Sequence, residues 1–181
     1  MGNQINRLIL DYKGASDSPT AQGKVLQTLI AQTDQALSAL VSPIYRSIKE
    51  KSPNVVIKAK DKATEAANEL KELRRGEVVN SKTGETEITA EFLGKEKQAV
   101  NYLDSLPSEL DFWEAHQRLS AVKKQINDIN VSTNKDTNAA DAWGRVKTIL
   151  EESMEEASTK LSPDLQKEYK KVTKMYREGK K

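Results

Sequence analysis

Apolar residues recur along this chain at steps of three and four, the spacing that gathers side chains on one face of an α-helix. Leu26, Leu29, Ile30, Thr33, Leu37, Leu40, Ile44 and Ile48 mark a first long helix over 20–51. Pro43 falls inside it. A proline there has no amide to donate and clashes with the preceding turn, so a kink or break is expected near Val41. Ser52-Pro53 ends the helix, and the β-branched run Val55-Val56-Ile57 predicts an extended stretch too short for a sheet.

A second helix over 60–75 turns Ala63, Ala66, Ala67, Leu70 and Leu73 inward, and alanines there imply close approach of a neighbouring helix. A third over 89–106 carries Phe92, Ala99, Tyr102, Leu103 and Leu106, and Pro107 ends it. Ser108 is expected to cap the fourth, with Glu109 and Asp111 in its first turn. There Phe112, Ala115, Leu119, Val122, Ile126 and Ile129 alternate in the manner of a coiled-coil seam. A fifth helix from Asn138 has Trp143, Val146, Leu150, Met154, Ala157 and Leu161 inward. Ser162-Pro163-Asp164 is a helix start, because serine accepts free amides and proline suits the first turn. The helix that follows bears Leu165, Tyr169, Val172 and Tyr176. The short turn before it predicts an antiparallel hairpin of the last two helices.

The connections are less regular. In 76–88, two short alternating runs flank Ser81-Lys82-Thr83-Gly84; a small hairpin and a plain loop both fit, and the loop is the preferred reading. Residues 130–138 are polar and read as a loop, and Ile5, Leu8, Ile9 and Leu10 form an apolar arm expected to dock on the body or on a partner. The expected fold is all-α: one module over 1–181, an elongated bundle of about five or six helices with a C-terminal antiparallel helical hairpin. If it divides, the parts are 20–75 and 89–178, joined by loop 76–88.

Composition thins the picture. Hydrophobic residues make up 36% of the chain and charged ones 31%, with only two Phe, two Trp and five Tyr. That is little large apolar material, and it suits thin helical layers packed by Leu, Ile, Val and Ala. The net charge is +2 with both signs interspersed, as on solvated helix faces, except for the basic stretch from Lys167 to Lys181. With no cysteine there is no disulfide framework and no thiolate ligand or nucleophile. No apolar run reaches the length of a membrane span and no signal-peptide pattern opens the chain, so a cytoplasmic location in the cell is the default.

The chemistry that remains is sparse. His116 is the single histidine, no nucleophile motif accompanies it, and it reads as a surface or boundary residue of its helix. Glu151, Glu152, Glu155 and Glu156 stand one turn apart in pairs, which reads as a solvated face balanced by Lys147 and Lys160. No metal or other cofactor and no catalytic residue is expected. Two features point to partners. Trp113 is either a partner-facing anchor or part of the inter-helix layer, and Lys170, Lys171, Lys174 and Arg177 could meet phosphate or an acidic surface.

A longer order of segments is familiar. Leu37 to Val56 through Tyr45 comes first, then a helix closed by Leu106-Pro107. Leu110-Asp111-Phe112-Trp113, Arg118-Leu119 and Ile126-Asn127 follow. Ala142-Trp143-Gly144-Arg145-Val146 through Leu150 and Glu155-Glu156-Ala157, then Leu165 to Tyr176-Arg177, complete it. This order resembles helical segments of the large internal virion, or DNA-ejection, proteins and tail tape-measure proteins of tailed bacteriophages. The resemblance spans 26–177 and carries over no functional residue. It implies a non-enzymatic structural module of a phage virion, with virion neighbours or copies of itself as protein partners. A second reading is an intracellular coiled-coil adaptor or regulatory protein whose 112–129 seam takes a partner helix. A third is a nucleic-acid-associated protein that uses its basic C-terminal helix.

Overall fold

The computed structural model describes residues 39–79, 86–132 and 136–178, with side chains for 39–76, 91–132 and 136–175. The expected helix before residue 39, the arm at 1–19, the Ser81–Gly84 turn and the inward placing of Tyr176 lie outside them. Among the described residues the fold is all-α in class, with six helices and one small hairpin. In order these are α1 (39–51), α2 (Lys60–Leu73), β1 (Arg75–Val79), β2 (Thr86–Ala90), α3 (Gly94–Ser105), α4 (Phe112–Asn130), α5 (Thr137–Ser158) and α6 (Pro163–Glu178). The chain divides into two compact units, Tyr45–Lys170 and a second one of Met1–Ile44 with Lys171–Lys181. The functional geometry described below belongs to the first.

The helix α1 runs unbroken through Pro43 from residue 39 to 51, which corrects the expected break near Val41. Ile48 is buried as expected, but before it the inward stripe is one position off: Val41 and Tyr45 are buried, while Leu40 is 55% exposed and Ile44 half-buried. The large Tyr45 ring takes the inward place that Ile44 was expected to fill. After α1 the extended stretch behaves as expected. Ile57 donates its amide to the Leu110 carbonyl at 2.8 Å and accepts from the Leu110 amide at 3.0 Å, an isolated antiparallel bridge. That bridge pins the entrance of α2 beside the entrance of α4.

The stripe Ala63, Ala66, Ala67 and Leu70 of α2 is buried as predicted, but Leu73 is 65% exposed. Leu73 is the last residue of α2, and Arg74 already turns the chain into β1. The loop preferred for 76–88 is in fact a two-stranded antiparallel hairpin with Arg75 opposite Ala90 and Val79 opposite Thr86. Val78, Val79, Thr86, Ile88 and Thr89 are all β-branched, which favours extended backbone over a loop. Because β2 continues to Ala90, α3 starts at Gly94 and not at Thr89. Gly94 has φ +54°, a conformation that glycine adopts without a Cβ clash, and it re-aims the chain from strand to helix. At the other end of α3, Leu106 is extended because the residue before a proline is pushed out of the helical region. Helices α2 and α3, on either side of the hairpin, pack on each other.

The fourth helix begins later than expected. Asp111, not Ser108, is its cap, with a carboxylate oxygen accepting from the Glu114 amide at 2.8 Å. Likewise Asp136 caps α5 by accepting from the Ala139 amide at 3.0 Å. The start of α6 at Pro163 is the predicted one.

Helix α5 is the hub: α2, α3 and α4 all pack on it. It can serve three neighbours because its buried face is broad, covering about half of its circumference, from Ile149 and Ala142 through Ser153, Val146, Ala157 and Leu150 to Met154 and Ser158. Small residues among these let the flanking helices come close, and each fully buried Leu or Met side chain contributes about 1.5–3 kcal/mol. The 112–129 seam of α4 is buried in this arrangement at Phe112, Ala115, Leu119, Val122 and Ile129, while Ile126 is half-buried.

Candidate functional site

Each polar or aromatic residue singled out in the sequence can be placed, beginning with His116. The expectation of a surface or boundary histidine is corrected, because it is 3% exposed. Helical spacing explains the burial: Phe112, Ala115, His116 and Leu119 share a face of α4. The imidazole stacks on the Tyr45 ring of α1, centroids 4.2 Å apart and planes 14° from parallel. Tyr169 of α6 meets Tyr45 edge-on at 6.3 Å and Phe112 at 5.8 Å. A five-ring knot of Tyr45, Phe112, Trp113, His116 and Tyr169 therefore joins α1, α4 and α6 inside the Tyr45–Lys170 unit.

Trp113 lies at the edge of that knot. It is half-buried, its ring centre 5.8 Å from that of His116, and the Arg46 guanidinium covers it at 4.4 Å from the ring centroid. One turn along α1, the Lys49 ammonium pairs with Asp111 at 2.8 Å. Partial burial disfavours the Asp111 carboxylate, yet Lys49 and the amides of Glu114 and Trp113 outweigh it and hold the carboxyl below its ordinary range. The cap of α4 is therefore also a tie to α1.

Electrostatics in the knot run against protonation. Burial removes water that would solvate an imidazolium, and the Lys123 charge adds to the effect, so the His116 pKa falls to about 4. At neutral pH the residue is an uncharged ring packed among rings.

The acidic run on α5 behaves as ion-pairing surface. Glu151 pairs with Lys123 of α4 at 3.0 Å and with Lys147 at 3.6 Å. Glu152 and Glu156 both reach Lys62 of α2, so the balancing cations include two from neighbouring helices besides the expected Lys147. Arg145 completes the pattern with Glu69 of α2 at 2.6 Å and Asp141 at 3.2 Å. The Lys62–Glu152 and Arg145–Glu69 pairs flank an open groove of about 740 Å³ between α2 and α5, floored by Ala66, Ala140, Gly144 and Ile149. Among the described residues no group of three or more His, Cys, Asp or Glu side chains is placed to hold a metal ion.

The basic candidates lie on α6. Lys170, Lys171 and Lys174 are exposed; Lys170 closes the Tyr45–Lys170 unit, and the other two belong to the second unit. Arg177 is helical, with its side chain outside the described residues. Among the described residues no helix is long and apolar enough to cross a membrane. Sequence reasoning missed three participants: Tyr45 and Arg46, which partner His116 and Trp113, and Glu96. The Glu96 carboxylate is buried in the first turn of α3 and accepts from the Arg74 guanidinium at 2.9 Å. Its signal was an acid at a helix N-terminus, indistinguishable by itself from any surface glutamate.

The features thus define an all-α helical domain organised around one hub helix and one aromatic knot. None of the protein families, curated proteins or solved structures compared with the chain matches it.

Proposed function

We propose that this chain is a non-enzymatic helical structural module of a phage virion, acting through the helix surfaces it presents to neighbours. The observation that carries the non-enzymatic part is the fate of His116: the residue type most used for proton transfer near neutral pH is buried, stacked and held neutral as packing material. Three acids of α5 point the same way, since Glu151, Glu152 and Glu156 are engaged with lysines of α2 and α4. The virion part rests on the order of segments from Leu26 to Arg177 that resembles internal virion and tape-measure proteins. A module in that setting works by contact and rearrangement, and its docking elements are the half-buried Trp113 and the exposed lysines of α6.

An immunoblot of purified phage particles with an antibody against this chain tests the reading. A band in particles is the expected result. A band confined to infected-cell lysate, absent from particles, would sink it.

A further inference from the structure

His116 is touched by aromatic groups from two helices and tied through them to a third. Tyr45 lies flat on it from α1, Trp113 flanks it on α4 under the Arg46 guanidinium, and Tyr169 of α6 closes edge-on against Tyr45. All five rings of the knot lie within the Tyr45–Lys170 unit, and Tyr45 and Lys170 are the terminal residues of that unit on α1 and α6. We propose that this knot is a proton-operated latch: uptake of a proton by His116 loosens residues 45–51 of α1 and the first half of α6 from α4, while the packing of α3 on α5 persists.

The neighbourhood supplies the mechanism. On α4 itself Lys123 already acts on the imidazole, and Lys123 is tied to Glu151 of α5. From α1 come the Tyr45 phenol, the Arg46 cation over Trp113, and Lys49 bound to Asp111. Elsewhere on α4 Glu114 is held by Arg118, and α6 contributes the Tyr169 phenol. A proton on His116 therefore puts a charge into a buried ring stack that already feels the Lys123 charge. The Tyr45 face attracts a cation and offsets part of that cost. Burial and Lys123 outweigh it, because the pKa still falls to about 4.

The sign follows from linkage. A histidine whose folded pKa lies below its open-state value binds fewer protons when packed, so the latch is at full strength above pH 6.5 and weakens as pH falls toward 4.

The test uses the full chain. As His116 is the only histidine, its imidazole signal in a proton NMR titration reads one pKa without assignment, and a value well below 6.5 is expected. Amide hydrogen exchange then reads the opening. Protection of amides 48–51 in α1 should drop about tenfold between pH 7 and pH 5.5, while amides 146–150 of α5 keep theirs. In His116→Phe, which keeps a ring against Tyr45, the drop at 48–51 should vanish; His116→Gln serves if circular dichroism shows that the first variant is not helical. A folded-state pKa at or above 6.5, equal loss of protection in α1 and α5, or an undiminished drop in the variants overturns the proposal.

Discussion

Where α2 meets α5, alanines and a glycine form the contact floor and the charges lie outside it, with Lys62, Glu69, Arg145 and Glu152 bridging the helices across an open groove. Where α1 meets α4, the contact is made of rings, and one of them can take a proton. Both contacts are made by residues of the Tyr45–Lys170 unit, yet they should respond to different perturbations. Exposed ion pairs contribute little each and are screened by salt, so the first contact rests on the burial of small apolar atoms. The second concentrates its stabilisation in a few large side chains, so single substitutions and acid should act strongly on it.

Phe112→Ala breaks the comparison most severely. Phe112 is 1% exposed and meets Tyr169 at 5.8 Å, so its loss leaves a cavity that should cost about 3–5 kcal/mol in urea unfolding. Next comes acid. With a folded pKa of about 4 against 6.5 unfolded, His116 should withdraw up to about 3 kcal/mol of stability as pH falls from 6.5 to 4, a slope that His116→Phe should flatten. The groove side should respond in the opposite direction. Gly144 lies inside α5 with nothing within 4 Å of where a Cβ would stand, so Gly144→Ala should stabilise by about 0.5–1 kcal/mol in thermal or urea melts. The smallest effect belongs to Lys62→Ala, which removes pairs to Glu152 and Glu156 of which all three side chains are at least a third exposed. A loss below about 1 kcal/mol is expected, vanishing in 0.5 M salt. A loss as large as that of Phe112→Ala would show that the two contacts are not built differently after all.

Much of this was legible beforehand, for a physical reason particular to each element. Ala63, Ala66, Ala67 and Leu70 recur at helical spacing because one face of α2 must be apolar, and that face is buried. Trp143, Val146, Leu150, Met154, Ala157 and Leu161 were legible likewise, and all are buried. Boundaries were harder. Ser108 and Asp111 are both capping residue types, and the choice of Asp111 depended on the bridge between Ile57 and Leu110, which holds the chain extended up to α4. In α1, Leu40 and Tyr45 compete for the inward face; helical spacing does not rank them, and the rings of His116 and Tyr169 decide for Tyr45.

The sequence by itself determined that the chain is largely helical, which faces of α2 and α5 are apolar, and that Pro107 lies just past one helix and Pro163 opens another, because those are properties of neighbours within a turn or two. Tertiary structure alone decided that α5 is the hub, that Glu151, Glu152 and Glu156 of α5 meet lysines of α2 and α4, and that the lone histidine is a buried ring. Each of those outcomes joins residues far apart along the chain: His116 lies beside Tyr45, Glu152 beside Lys62, and Arg145 beside Glu69. Contacts at such separation follow from how helices pack, which no local spacing encodes, and packing is also what turns an ordinary imidazole into one that resists a proton.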